Sequence, residues 1–310
     1  MMNNFGLGIL SMLISSLCVA MMCFLGQALS ESLALSLLVF IRFFCPFLLA
    51  FWMLVTLDSY RFHIQPPFYL HALRALFVVA GQYCLFYALH HHSVLMATLL
   101  FSTAPLFAPI ITAMVHKTPI DLKIWPSLIL GFIGITCVLH PGLKGIWNMG
   151  LLVGLGSGFF NACCQVTFQN VSKDHSPLSE LFYMFGLSAL ITAGPMLVSW
   201  YHYRIEHEFS YLLDSDLLLI LILFSLISMS NQMFRFKAYQ YAQPIYMAPF
   251  WYASIPMSAM LDWYFKGHIP DILTVIGSCC VIVGGVLMVR YKKQTSKATP
   301  IDHQTVLSKA

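Results

Sequence analysis

Two arginines lie inside long apolar runs: Arg42 in Val39-Phe40-Ile41-Arg42-Phe43-Phe44, and Arg74 in Leu70-His71-Ala72-Leu73-Arg74-Ala75-Leu76. Neither run contains an acid. A cation at the centre of a hydrocarbon layer costs about 2.5–3.5 kcal/mol, so each arginine needs a reason to be there. Arg42 lies about 14 Å along its apolar stretch, at about 1.5 Å of helix rise per residue, which is deep for a snorkelling side chain. Two readings stay open for it. Its guanidinium either faces a cavity and binds a carboxylate or phosphate, or it is a structural group bonded to helix-end carbonyls. Arg74 falls nearer a membrane surface, where snorkelling accounts for it.

Amides and aromatics form a second constellation: Gln82, Tyr83 and Tyr87, then Asn161 and Gln165, then Asn231 and Gln232, then Trp251 and Tyr252. Asn161 and Gln165 are four apart and share one helix face, where they can line a cavity or bond a neighbouring helix. Trp251 is flanked by Tyr252 and by prolines, and serves as a stacking platform for a planar molecule or as a packing group. Pro105, Pro109, Pro249 and Pro256 bend their helices and free carbonyls, which makes them candidate hinges. Gly150, Gly154 and Gly158, continued by Ala162, form a small-residue stripe for close helix packing.

Other chemistry fares worse. Consecutive His90-His91-His92 point in different directions on a helix and lack an acid or cysteine beside them, so no metal site is expected. All nine cysteines fall in apolar stretches, with no spacing for a zinc site or a disulfide framework. Gly154-Leu155-Gly156-Ser157-Gly158 superficially resembles the serine motif of an intramembrane protease, but no histidine deep in a span completes a pair. No catalytic residue, metal or cofactor is therefore assigned.

These residues must be positioned by helices in lipid. Of 310 residues, 59% are hydrophobic and 9% charged, against about one quarter charged in a soluble domain. The bilayer is the expected partner, and no basic groove suggests nucleic acid. Cutting at charged, Pro and Gly punctuation yields ten spans at roughly 5–26, 33–57, 67–89, 93–115, 122–140, 148–168, 179–200, 216–237, 244–263 and 271–290. Arg61, Lys117, Lys123, Lys173, Arg235, Lys237, Arg290, Lys292, Lys293, Lys297 and Lys309 fall on one side, and only Lys144, Arg204 and Lys266 on the other. That asymmetry places both termini in the cytoplasm.

Five spans precede the Gly142–Asn148 loop and five follow it. Weak echoes recur at an offset of roughly 146–150 residues: Tyr87-Ala88 with Lys237-Ala238, Pro105 and Pro109 with Pro249 and Pro256, Gly131 and Gly134 with Gly277, Gly284 and Gly285. An odd number of spans per half inverts the second half. The fold expected is all-α, with ten transmembrane helices as two inverted five-helix repeats, 1–143 and 144–290, and a disordered cytoplasmic tail over 291–310.

The runs quoted around Arg42 and Arg74, with Phe86-Tyr87-Ala88-Leu89, Ser102 to Pro109, Gly131-Phe132-Ile133-Gly134-Ile135 to Pro141, Ala248-Pro249-Phe250-Trp251-Tyr252 and Asp262 to Pro270, resemble the drug/metabolite transporter superfamily, EamA type. The resemblance covers about residues 5–290. It implies a multi-pass inner-membrane carrier with a central cavity between two halves. Members usually carry a Glu after the fourth and ninth helices; His116-Lys117 and Gly267-His268 stand there instead.

The function expected is secondary transport of a small organic metabolite, an amino acid or a similar anionic or zwitterionic, aromatic compound, by alternating access. The binding residues are Arg42, Gln82, Tyr83, Tyr87, Asn161, Gln165, Asn231, Trp251 and Tyr252. The runs around Arg42-Phe43 and Arg74 are also similar to those of family members that take up S-adenosylmethionine, which gives a second substrate class. The protein is expected to work as a monomer or homodimer, with no acid deep in a span to relay protons.

Overall fold

A computed structural model describes residues 2–57, 68–117, 125–139, 149–171, 177–206, 215–241, 247 and 250–298. The helices are α1 (Met2–Ser32), α2 (Leu35–Leu57), α3 (Phe68–His91), α4 (Val94–Phe101), α5 (Ala104–His116), α6 (Trp125–Leu139), α7 (Met149–Val171), α8 (Pro177–Glu206), α9 (Ser215–Tyr241), α10 (Ser254–Lys266) and α11 (Ile272–Ala298). No strand occurs among the described residues. In lipid every backbone N–H and C=O must find a partner within the chain, and helices provide it segment by segment. Seven stretches are long and apolar enough to cross a membrane, and two shorter apolar helices, Trp125–Cys137 and Ile272–Leu287, join them.

Burial is inverted relative to a water-soluble protein. Leu190 is 73% exposed, Leu219 57% and Ile133 50%, whereas Arg42, Gln82, Asn231 and Gln232 are buried. Apolar side chains facing outward and polar ones facing inward are what a hydrocarbon solvent selects.

Spans 4 and 9, which carry the prolines expected to bend them, are interrupted outright. Span 4 is split into α4 and α5 at Ser102-Thr103, and span 9 turns at Tyr252-Ala253 before α10. The cause is proline. Pro105 and Pro256 have no N–H to give to Phe101 and Tyr252, so the helix tightens locally. Thr103 N donates to Leu100 O at 3.2 Å and Ala253 N to Phe250 O at 3.2 Å, both three residues back. The tenth span also differs from expectation: α11 continues to Ala298, because nothing before Pro300 interrupts a helix. Residues 299–310, Pro249 and the Gly142–Asn148 loop lie outside the described residues.

Exchanging the first five spans for the last five maps the packing onto itself. α1 packs on α9 as α3 packs on α7; α2 packs on α8, α6 on α11 and α4 on α10. The glycines repeat the relation. A Cβ on Gly134 would lie 2.6 Å from Gly277 O, and one on Gly284 would lie 2.8 Å from Ser127 O. Lys117 and Gly267, which close α5 and α10, share a left-handed turn, at φ 51° and 63°. Gly158 of the expected stripe lets α7 reach the break in span 4, since a Cβ there would lie 2.5 Å from Leu100 O.

Because the obstacle at Gly134 and Gly284 is backbone, it cannot rotate away. Gly134→Leu and Gly284→Leu are each expected to cost about 3 kcal/mol or more, seen as loss of the monodisperse peak in size-exclusion chromatography. Gly194→Leu, with open space around it, should leave that peak intact. Wild-type behaviour of Gly134→Leu would refute the α6–α11 packing.

Candidate functional site

The two helix breaks meet at the centre of the molecule. Ser102 Oγ and Ser254 Oγ lie 3.2 Å apart, and the rings of Phe101 and Trp251 are 6.1 Å apart at their centroids. Ser16 of α1 donates its hydroxyl at 2.9 Å to the Phe250 carbonyl, which also accepts from Ala253 N. The break in span 9 thus keeps its own local backbone bonds and gains a side-chain donor from α1.

Arg42 reaches this region from α2. Its Nε donates to Gln82 Oε1 at 2.6 Å, its Nη1 approaches Ser228 Oγ at 3.4 Å, and its guanidinium lies 5.4 Å from the centroid of Phe43. Side chains, not helix-end carbonyls, are its partners. Among the described residues no carboxylate lies within 4 Å of it.

Arg235 was counted in the sequence with the residues outside the spans. It sits instead on α9, with its guanidinium 5.4 Å from the centroid of the Trp251 ring, and donates to Gln232 Oε1. Trp251 is buried, and its Nε1 has no hydrogen-bond partner among the described residues.

Arg74 does not snorkel. It is 7% exposed and forms an ion pair with Glu180 of α8. The other Glu180 oxygen faces His71 Nδ1 at 3.7 Å. Glu180 lies in the first turn of α8, near the end of its span as expected, yet it is buried. Its place near the start of span 7 is internal because α3 and α9 close over it. Arg235 is near enough to act electrostatically on both Arg42 and Arg74.

A polar cavity of about 30 Å³ lies between Arg74, Gln165, Glu180, Gln232, Arg235 and Tyr239. That is room for about one water, not for a metabolite. At the opposite end the molecule is fastened. Lys266 Nζ donates to Gln27 Oε1 at 2.8 Å, Gln27 Nε2 donates to His92 O at 2.9 Å, and Leu95 N donates to Asp262 Oδ2 at 2.8 Å.

The expected site residues do not all converge. Arg42 and Gln82 are bonded together, Trp251 lies under Arg235, and Gln165 lines the small cavity. Asn161 is buried against Gly81, and among the described residues neither its side-chain amide nitrogen nor the Tyr83 hydroxyl has a hydrogen-bond partner. Tyr87 faces outward, edge-on to His91 at 4.6 Å. Asn231 is tied to α1, accepting from Ser15 Oγ at 2.8 Å. Tyr252 packs on Gly285 of α11, away from the arginines. Pro105 and Pro256 start the second half of each broken span, and Pro109 lies inside α5.

Ser157 is buried, and its hydroxyl is spent on Gly154 O at 2.5 Å. His90 Nδ1 lies 3.1 Å from Ser30 O, a tie between helix ends. His71, Glu180, Ser228 and Arg235 were missed as site residues. The signal available was spacing: His71 and Arg74 are three apart, as are Gln232 and Arg235, and each pair shares a helix face.

Similarity to known proteins agrees with this architecture. The chain is 26% identical over 265 residues to an S-adenosylmethionine uptake transporter of Rickettsia prowazekii, covering 86% of each chain. It is 25% identical over 210 residues to the pseudopaline exporter of Pseudomonas aeruginosa, covering 68% of this chain and 71% of that one. A riboflavin transporter of Vibrio cholerae is 23% identical over 228 residues, 73% of each. A protein of known crystal structure, 12% identical, shares the fold with a TM-score of 0.62 over 93% of this chain and 96% of its own. The sequence profile of the EamA-like transporter family matches twice, over residues 6–140 and again over 148–290, and the chain belongs to that family.

Proposed function

We propose that this transporter carries a small organic anion or zwitterion with a planar or aromatic part, such as an amino acid, across the inner membrane by alternating access. The observation that supports this most is Arg42, a buried cation with no carboxylate within 4 Å among the described residues. A buried charge left without its opposite is costly to keep, and a substrate carboxylate or phosphate would complete it. Trp251, already stacked by Arg235, offers its face to a ring and its unpaired Nε1 to an acceptor.

The second substrate class is S-adenosylmethionine or a nucleoside-like metabolite, favoured by the Rickettsia relative that spans 86% of the chain. Its carboxylate would take the arginine and its adenine the tryptophan. The excess of Lys and Arg on one set of loops supports an orientation with both termini in the cytoplasm. The repeats divide near residues 143 and 144, and the central site would be complete in a monomer as in a homodimer. The residues so assigned are Arg42, Gln82, Tyr83, Asn161, Gln165 and Trp251, with Arg235 added and Pro105, Pro109, Pro249 and Pro256 as hinges.

The test is a thermal-shift screen of the purified protein against aromatic amino acids, aromatic acids, nucleosides and S-adenosylmethionine, followed by saturable counterflow in liposomes. Trp251→Ala should weaken the ligand so found about tenfold, the value of a lost ring stack. Undiminished binding by that variant would remove the stacking role, and an absence of counterflow would sink the carrier reading.

A further inference from the structure

Glu180 belongs to neither the fold's packing logic nor the Arg42 centre. It is a carboxylate on α8, 2% exposed, on the wall of the polar cavity. One oxygen is ion-paired with Arg74, and the other makes no hydrogen bond among the described residues, with His71 Nδ1 3.7 Å away. An acid inside a membrane protein is kept at a cost, and one shared between an arginine and a histidine beside a water-sized cavity is arranged to change its charge.

We propose that Glu180 is the proton-binding group that couples this carrier to protons, through competition with the substrate anion for Arg74. The inference rests on the transporter reading and adds a coupled ion to it. When the cavity widens, the substrate's negative group, on its way to or from Arg42, can take the place of the Glu180 carboxylate on Arg74. Glu180 then has no cation against it in a low-dielectric site, and it takes up a proton from water. His71 is the titratable group nearest to its free oxygen and passes that proton. The balance is simple: one anionic group enters, one carboxylate becomes a carboxylic acid, and the charge of the site is unchanged for a monoanion. On the far side the steps reverse. Substrate leaves, Arg74 recovers Glu180, and the proton is released.

The surroundings are consistent with a competition confined to these groups. α3 presents His71 and Arg74; α9 presents Arg235 with Gln232 and Tyr239; α7 presents Cys164 and Gln165. α2, which packs along α8, has no titratable side chain from Phe51 to Leu57. Arg235 gives the displaced anion a second cation within the same cavity.

The probe is naphthalene-2-sulfonate, planar and permanently anionic, so any proton taken up belongs to the protein. Dicyclohexylcarbodiimide, which attacks protonated carboxyls in apolar surroundings, reports the state of Glu180 by peptide mass spectrometry. In the wild type Glu180 should label slowly at neutral pH. Labelling should rise about tenfold in Arg74→Gln without any ligand, and should rise in the wild type when the sulfonate is added. Equal, slow labelling in Arg74→Gln overturns the proposal.

Glu180→Gln, the neutral mimic of the protonated acid, gives an independent measure. The sulfonate-induced thermal shift should decline from about pH 6 to about pH 8 in the wild type and stay flat in Glu180→Gln. Persistence of that decline in the variant overturns the proposal too. A sulfonate that stabilises the protein with no change in labelling and no pH dependence leaves the carrier standing and removes the proton. A sulfonate with no effect on stability overturns both.

Discussion

Glu180→Leu should lower the thermal midpoint of the purified protein by about 10 °C, and Arg74→Leu should do the same. Each variant strands one member of a buried ion pair, and an uncompensated charge costs about 3–5 kcal/mol once its partner is gone. Beside Arg74, Arg235 is a second cation on the same cavity and Met184 Sδ, at 3.5 Å, is a weak acceptor. The double variant Arg74→Leu/Glu180→Leu discriminates. It removes both charges and should recover most of the lost stability, because two leucines fit a site that no longer has to solvate ions. Differential scanning fluorimetry in one detergent measures all three proteins. Additive losses in the double variant would mean that the two residues act separately, contrary to their ion pair.

Arg42→Met should behave in the opposite way, weakening ligand binding about tenfold to a hundredfold while costing little stability. A hydrogen bond to a charged group contributes about 1.5–3 kcal/mol, and that is the interaction the substrate would lose. The apo protein, by contrast, is relieved of a cation that has only Gln82, Ser228 and the Phe43 ring for company. Methionine follows much the same path and fills similar volume. Binding titration and thermal midpoint on the same preparation separate the two effects. If Arg42→Met binds as tightly as the wild type, the anion reading of this centre fails; if it unfolds, Arg42 is structural.

Much of the architecture was legible because hydrocarbon imposes simple rules. The expected spans coincide with helices, since a run such as Leu35–Leu57 has no other stable form in lipid. The echo between Gly134 and Gly284 was readable as spacing, and it reappears as two reciprocal close approaches. The breaks at Ser102-Thr103 and Tyr252-Ala253 were only half legible. Prolines announced a bend, but its exact place depends on which carbonyl loses its donor.

The candidate site was harder to read because partners far apart in sequence decide it. Arg74 and Glu180 are 106 residues apart, and each alone looked like a residue near a membrane surface. Arg235 was counted with the loop charges although the expected span 216–237 contains it, because nothing local shows that its side chain turns inward on α9. Tyr87 and Asn231 were grouped with the cavity by residue type, yet a one-position rotation around a helix changes what a side chain meets. Arg42 was legible as a buried group because its position in the run is too deep for snorkelling.

The latch between Lys266 and Gln27 has no like-for-like twin. The positions that correspond to them in the other half, offset by about 150 and 146 residues, are His116 and Lys173, two basic residues in place of an amine and an amide. The amine-to-amide bond at this end is therefore not written into both repeats of the sequence. Any motion that parts α1 from α10 at this end has to break that bond first.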